Sequence, residues 1–311
     1  MTVSLAGNVA IVSGGGRGLG RAYALDLAAH GAKVVVNDNG CDLSGNGTDH
    51  GPADSVAAEI KAAGGEAVAS YDDVGTDEGA YAMVKLAVDT WGRVDALVCN
   101  AGMLRDAALH NLNADAWDAV LQTHLKGCYA LMHHAWPVFR QQSYGRVVLA
   151  TSSAGLYGNF GQSNYGSAKA GMVGLMNVSK LEGAKYNVMV SLIAPIAATR
   201  MTMNLMPPDR QQATRPELVA PAVTYLCSPQ CTESGMIIEA GGGTFNRCSF
   251  VKSTGVKVDT TATPDASWVE ANWSKITDLN GAVPMWDLGK TREQHAAEAA
   301  AGGDQPKRNT I

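Results

Sequence analysis

Val9-Ala10-Ile11-Val12-Ser13, followed at once by Gly14-Gly15-Gly16-Arg17-Gly18-Leu19-Gly20, decides the fold of this chain. A run this apolar reads as a strand buried on both faces. The glycines end it, and a helical pattern then continues to about His30. Strand, glycine turn and helix in that order begin a βαβ unit. Gly14, Gly18 and Gly20 let the chain turn tightly, let its backbone approach a ligand, and let the helix pack on the sheet. The helix N-terminus then offers free N–H groups and a partial positive charge to an anion. A glycine loop by itself also reads as a flexible connection. That reading loses ground because the second strand, Lys33–Asn37, runs into an acid, Asp38, eighteen residues after Gly20.

Outward from this unit, short apolar runs alternate with longer helical patterns. A polar loop after Asp38 leads to a helix over 54–63, a strand at 67–71 and a helix over 79–91. The strand Ala96–Cys99 precedes one long helix over 114–139. A strand at 146–151, a helix over 165–182 and strands at 188–193 and 236–239 complete the series. Strict alternation of this kind predicts an α/β protein: a doubly wound parallel sheet of the Rossmann type with right-handed crossovers. The pattern fades after about Gly243, so 1–245 reads as a dinucleotide-binding domain and 246–311 as a C-terminal extension. Within the extension, 265–279 has a helical pattern with Trp268 and Trp273 as candidate anchors, and 295–311 reads as a frayed end.

The bulk numbers exclude several classes. Of 311 residues, 46% are hydrophobic and 17% charged, which suffices for a sizeable core. The net charge of −5 comes without a basic run, so nucleic acid is not an expected partner. Six cysteines, Cys41, Cys99, Cys128, Cys227, Cys231 and Cys248, form no C-x-x-C pair and flank no histidine at zinc spacing. They read as reduced thiols, with no metal site expected. The first residues lack a charged signal-peptide start, no apolar run is long enough for a bilayer, and Arg308-Asn309-Thr310-Ile311 is no peroxisomal address. A cytoplasmic protein is the expectation.

The chemistry concentrates at Tyr165 and Lys169, four apart and therefore on one helix face, with Ser152 thirteen residues upstream of the tyrosine. A tyrosine with a reference pKa of roughly 10 is a poor base at neutral pH. A neighbouring ammonium favours its phenolate, and a serine hydroxyl can hold the oxygen that loses the proton. At the other end, Asp38 would accept from a ribose 2′-hydroxyl and repel a 2′-phosphate, which favours NAD over NADP. Arg17 pulls toward the phosphate. Asp73-Val74 reads either as a contact to an adenine edge or, beside Asp72, as a solvated acidic pair.

Taken together, SGGGRGLG, Asp73, Asn100-Ala101-Gly102 and Ser152/Tyr165/Lys169 resemble the short-chain dehydrogenase/reductase family over roughly residues 5–245. The stretches VVVNDNG (34–40), GMLRD (102–106), WDAVLQTHLKG (117–127), YGRVVLATSSAGLYGNFGQSNYGSAKAG (144–171) and IAPIAATRMT (193–202) are further similar to the (3R)-hydroxyacyl-CoA dehydrogenase module of peroxisomal multifunctional enzymes type 2. The resemblance implies Tyr165 as general base or acid, Lys169 on the nicotinamide ribose, and Ser152 rather than Ser153 on the substrate oxygen. It implies Gly14, Arg17, Gly18, Leu19, Gly20, Asp38, Asp73, Val74, Asn100, Ala101 and Gly102 around the cofactor. Three positions depart from the family. His124 stands where asparagine holds a relay water, and it reads equally as a core histidine. Pro195-Ile196 replaces proline-glycine, and Arg200 stands where threonine is expected, with Thr199 and Thr202 beside it.

The implied activity is NAD-dependent oxidation of a 3-hydroxyacyl-CoA, fatty or steroid side-chain, to the 3-oxoacyl-CoA. Dehydrogenation of free hydroxysteroids or other secondary alcohols is the alternative, and a nucleotide sensor without turnover is a third reading. The absence of a following hydratase segment implies a free-standing dehydrogenase, and the resemblance implies a homodimer or homotetramer. Met201, Met203, Leu205 and Met206 read as a substrate lid or as packing of a short helix. Arg105, Arg210 and Arg215 are candidates for CoA phosphates, and Trp286 joins Trp268 and Trp273 as a candidate interface residue.

Overall fold

β1 (Val9–Ser13), the strand quoted above, is buried at every position in the computed structural model, which describes residues 2–203 and 207–285. The strands that follow are β2 (Lys33–Asn37), β3 (Ala67–Ser70), β4 (Ala96–Cys99), β5 (Gly145–Ala150), β6 (Val188–Ile196), β7 (Ile237–Gly241) and β8 (Thr244–Cys248). They form one eight-stranded sheet in the order β3-β2-β1-β4-β5-β6-β7-β8. From β3 through β7 every pairing is parallel, with Ser13 level with Asn37 on one side and Cys99 on the other. β8 returns from β7 across only Gly242-Gly243, both at positive φ, a connection short enough for a hairpin alone. The order reverses between β1 and β4. In a doubly wound sheet the ligand crevice opens at that point, beyond the carboxyl ends of the strands.

The helices are α1 (Gly18–Ala29), α2 (Gly51–Ala62), α3 (Asp77–Trp91), α4 (Ala114–Leu121), α5 (Gly127–Gln142), α6 (Ser153–Tyr157), α7 (Ser163–Gly183), α8 (Pro208–Ala213) and α9 (Ala220–Cys227). Alternate strand positions such as Ala10, Val12, Val34, Val36 and Val98 pack with α1, α2 and α9 in one core. The intervening positions, Val9, Ile11, Val35 and Leu97, are equally buried and point to the other face, where α3, α5 and α7 contact the sheet.

Asp95, just before β4, ties the central strands. Its buried carboxylate accepts from the Val9 N–H at 2.8 Å and from Arg93 Nε and Nη2, each at 2.7 Å. Truncating Arg93 leaves a buried charge with two donors fewer. Arg93→Ala is expected to lower stability by about 2–3 kcal/mol. The check is a urea midpoint that falls at unchanged slope.

The element boundaries differ from the sequence expectation where a local rule hid them. The helix expected over 54–63 begins at Gly51, because Pro52 suits a first helical turn. The single helix expected over 114–139 is α4 and α5 joined by a π-helical turn, Gln122–Lys126. α6, α9 and β8 were not expected, and α8 falls just beyond the methionines that read as a lid or a short helix; Pro208, Pro216 and Pro221 punctuate this stretch as if it were loop.

The chain divides into two compact units, one through Arg247 and one from Cys248. In the second, β9 (Val251–Lys252) pairs antiparallel with β10 (Val283–Pro284), and α10 (Ala266–Ile276) starts at Asp265, whose side chain accepts from the Trp268 N–H. Trp286 and the end expected to fray lie outside the described residues.

Candidate active site

The turn between β1 and α1 is built rather than loose. Gly14 and Gly18 have φ of 62° and 52°, the left-handed region that suits glycine. A Cβ on Gly14 would stand 2.8 Å from Ala101 Cα, and one on Gly20 would overlap the Gly14 carbonyl. Asn100 braces this turn from the end of β4: its Nδ2 donates to Ser13 O at 3.3 Å and Gly14 O at 3.2 Å. Ser13 Oγ in turn accepts from the N–H groups of Asn100 and Ala101. The triplet 100–102 and the glycine turn thus hold each other at the strand reversal.

Asp38 is buried at the end of β2, and its carboxylate faces the turn. Oδ2 accepts from Gly16 N–H at 3.0 Å and Oδ1 from Gly40 N–H at 2.8 Å. Arg17 does not pair with it. Its Nη1 donates to the Cys41 carbonyl at 3.3 Å, and its Nη2 lies 3.6 Å from Asp49. Beyond Asp38, residues 39–49 cross the cleft. Arg200 also donates to the Cys41 carbonyl, at 3.1 Å, and Arg105 Nε donates to the Ser44 carbonyl at 3.0 Å. The Leu104 N–H meets the Leu43 carbonyl at 3.0 Å, and Asp42 knots the loop by accepting from Ser44 and Asn46. Three arginines from three different connections therefore hold the carbonyls of Cys41 and Ser44.

At the other end, β5 delivers Ser152 and α7 delivers Tyr165 and Lys169. Ser152 is the N-cap of α6, where Oγ accepts from the Ala154 N–H, and its hydroxyl hydrogen-bonds the Tyr165 phenol. Ser153 turns elsewhere, to Glu239 Oε2 at 3.2 Å. The Lys169 ammonium lies 5.5 Å from the Tyr165 ring centre and donates to the Ala150 carbonyl. Thr151 Oγ1 donates to the Lys169 carbonyl and fixes the helix at that turn. Burial lowers the Lys169 pKa to about 8, so the side chain carries its charge at neutral pH. The expectation that Lys169 would lower the tyrosine pKa is not met. Burial raises the Tyr165 phenol, and the lowering influence is the Ser152 hydrogen bond, because the ammonium is turned to the Ala150 carbonyl.

His124 sits on the π-helical turn, whose extra residue aims its ring at the site. The ring meets Tyr165 edge to face at 5.1 Å between centres. Nε2 lies 2.9 Å from Met103 O and 3.2 Å from Met103 N, whereas the buried Nδ1 has no partner. Gly102 makes room for it, since a Cβ there would overlap the ring at Cε1. Burial, then the Lys169 charge, push His124 from 6.5 down to about 3. Between those values the folded chain binds fewer protons than the unfolded one. Stability is therefore full above pH 6.5 and falls as the pH drops toward 3, by up to about 1.4 kcal/mol per pH unit. Urea unfolding across that window should show a flatter pH dependence in His124→Gln than in the wild type.

One cleft of about 1130 Å³, counting its open mouth, joins these ends. Gly14, Arg17, Gly18, Leu19, Asp38, Asp73, Val74, Asn100, Ala101, Gly102, His124, Tyr165, Lys169, Pro195 and Thr199 all line it. Gly20, Ser152 and Ile196 do not. Gly20 packs α1 under the turn, and Ile196 is spent pairing with Gly241 at the end of β6. Asp73 caps the Gly75 N–H, while Asp72 accepts from Ser70 Oγ and takes the Asn37 amide on its carbonyl. Asn39, Cys41, Gly45, Met103, Thr123 and Arg200 also line the cleft and were not assigned there from sequence. Met201 lines it too, Met203 is exposed, and Leu205 and Met206 lie outside the described residues. Of the candidate CoA arginines, only Arg105 is shown fastened to a loop of the cleft. His134 pairs with Asp77 on the helix surface. Among the described residues no cluster of metal-ligating side chains occurs, no helix is long and apolar enough to cross a membrane, and no disulfide joins any of the six cysteines.

The arrangement can bind a dinucleotide along the strand reversal and exchange a proton at Tyr165. A comparison with known proteins agrees with it. The short chain dehydrogenase family profile matches residues 8–210. A protein of Mycobacterium tuberculosis named as a short-chain type dehydrogenase/reductase is 50% identical over 88% of this chain and 95% of its own length. Peroxisomal multifunctional enzyme type 2 of Mus musculus is 40% identical over 96% of this chain, which spans only 43% of that enzyme. Among solved structures, 7α-hydroxysteroid dehydrogenase complexed with NADH and 7-oxo glycochenodeoxycholic acid superposes with a TM-score of 0.69 at 27% identity, over 77% of this chain and 95% of that one. The chain belongs to the short-chain dehydrogenase family, and is an oxidoreductase acting on CH–OH groups.

Proposed function

We propose that this chain oxidises a 3-hydroxyacyl-CoA to the 3-oxoacyl-CoA with NAD, through Ser152, Tyr165 and Lys169. The observation that carries the reaction is the Ser152–Tyr165 hydrogen bond beside the Lys169 ammonium, at the end of a cleft that starts at the glycine turn. The thioester rests on similarity to the multifunctional enzymes over nearly the whole chain.

The residues fit a nicotinamide dinucleotide. Gly14 and Gly18 leave bare backbone where a pyrophosphate would lie, and the α1 N-terminus supplies donors there. Asp38 would take the adenosine ribose hydroxyls, and Asp73 and Val74 would flank the adenine. Asn100, Ala101 and Gly102 would meet the nicotinamide half, with Pro195 and Thr199 opposite. When bound, the nicotinamide supplies the acceptor for the hydride leaving the alcohol carbon.

The chain's own part is the proton. The Ser152 hydroxyl holds the substrate oxygen at the height of the phenol. The Tyr165 phenol first gives up its own proton to solvent, and the phenolate oxygen then gains the hydroxyl proton as the O–H bond of the alcohol breaks. The Ser152 hydrogen bond favours the phenolate, and Lys169 would hold the ribose hydroxyls. His124 is neutral at working pH, so it serves as a fixed hydrogen-bonding group beside Tyr165, through Nδ1, and not as a charge carrier. Residues 1–245 would carry all of this. The extension would serve an interface in a homodimer or homotetramer, in the cytoplasm.

NADH absorbance after mixing the chain with NAD and a panel of 3-hydroxyacyl-CoAs, free hydroxysteroids and simple secondary alcohols tests the reading. Turnover of the thioesters at a kcat/KM at least tenfold above the free alcohols is expected. Preference for a hydroxysteroid would support the second reading, which the likeness to the 7α-hydroxysteroid enzyme favours. No turnover of any alcohol would leave a nucleotide sensor.

A further inference from the structure

Asn164, the residue before Tyr165, is buried in the first turn of α7. Asparagine is a weak helix former, and its carboxamide costs free energy to bury unless it is hydrogen-bonded. Its position supplies the reason for it. The first N–H groups of a helix have no partner within the helix. An N-cap side chain commonly takes one of them, but Gln162, the N-cap of α7, makes no such bond. Asn164 does so from inside the turn, where its Oδ1 accepts from the Tyr165 N–H at 2.8 Å. Its Nδ2 donates to the Arg105 carbonyl at 2.9 Å and to the Ala116 carbonyl at 3.2 Å. Acceptor and both donors of the side chain are thus used.

These bonds join three segments of the chain. Ala116 lies on α4, Arg105 on the connection after β4, and Tyr165 on α7. Arg105 is held at both ends. Its carbonyl receives Asn164, while its Nε reaches the Ser44 carbonyl in the loop 39–49 that crosses the cleft. A continuous run of hydrogen bonds therefore leads from that loop, through Arg105 and Asn164, to the main chain of Tyr165. The phenol at the far end of the same residue is held by Ser152. A buried polar network with every member satisfied is rigid, so a shift at one end is felt at the other.

We propose that Asn164 is a positioning residue for Tyr165, through which Arg105 and the loop it holds set the place of the phenol. This rests on the reading that Tyr165 takes the proton of the alcohol. Proton and hydride transfer tolerate little displacement, and a misplacement of about 1 Å costs about 10²-fold in rate. Asn164 does not line the cleft. Its loss therefore appears in kcat and not in the affinity for the cofactor.

The test is a double-mutant cycle on Asn164→Ala and Arg105→Ala, read as kcat at saturating NAD with the best alcohol of the panel above. Asn164→Ala should lower kcat about tenfold and leave KM for NAD within about threefold. Arg105→Ala should lower kcat about threefold, whereas a lost contact to a CoA phosphate would raise KM and leave kcat in place. In the Asn164→Ala background, Arg105→Ala should lower kcat no further, because the run of bonds is already cut. Effects that multiply overturn the proposal. So does a kcat within about twofold of wild type in Asn164→Ala, even with a lowered melting temperature, which would make Asn164 only a brace between helices. Should Asn164→Ala fail to fold, Arg105→Ala decides alone, since the bond it removes is exposed to solvent. Its kcat then falls as expected, or is unchanged and overturns the proposal. Tyr165→Phe separates this from the reading it rests on. If that variant keeps its turnover, or if no alcohol reacts with the wild type, both fail. If it loses turnover while Asn164→Ala does not, only the role of Asn164 fails.

Discussion

Tyr165→Phe is expected to lower kcat for alcohol oxidation by about 10³-fold while NAD still binds with little loss. The ring keeps its place, because its edge-to-face contact with His124 and its seat on α7 involve no hydroxyl. What disappears is the proton acceptor, and acid–base catalysis of this kind is worth roughly 10²–10⁴-fold. Ser152 also loses the partner that orients its hydroxyl. A cofactor affinity measured by quenching or calorimetry should stay within a few-fold of wild type, since Lys169 and the glycine turn are untouched. Turnover within about tenfold of wild type would mean that another group takes the proton.

The second large effect is expected at Asp38. Its carboxylate lines the cleft beside the glycine turn, held by the N–H groups of Gly16 and Gly40, with Arg17 turned to the Cys41 carbonyl and Asp49. A 2′-phosphate placed there meets an anion first. Asp38→Asn removes the repulsion and leaves Arg17 free to turn. The ratio of kcat/KM for NADP to that for NAD should rise by about 10²-fold, equivalent to about 2.7 kcal/mol. Most of the change should come from a better NADP value, read from initial rates with each cofactor on one substrate. A wild-type enzyme that already prefers NADP would contradict this account of Asp38.

The parts of this site legible in the sequence are those where one residue type meets one local need. A glycine under a helix start, an acid at the end of the second strand and a tyrosine–lysine pair at helical spacing carry their meaning within a few positions. Ser152 was separable from Ser153 only by spacing, and geometry gives the reason: one faces the phenol, the other Glu239. The π-helical turn was invisible because one extra residue hardly disturbs a hydrophobic period that holds on both sides of it. The pairing of Gly102 with His124 was hidden for another reason, since steric exchange across twenty-two positions leaves no local pattern. The loop 39–49 was unreadable because its attachments run from arginine side chains to carbonyls, which every residue has.

That last feature has a bearing on how the protein can change. Cys41 and Ser44 receive the guanidinium groups of Arg17, Arg200 and Arg105 on their main-chain oxygens alone. Substitution of either side chain leaves those oxygens in place. Positions 41 and 44 are therefore open to mutational drift, while the arginines that hold them lie outside the loop. Randomising positions 41, 43 and 44, with Asp42 kept for the turn it knots, should yield many folded, cofactor-binding variants with altered cleft walls. The same exercise at the three arginines should not.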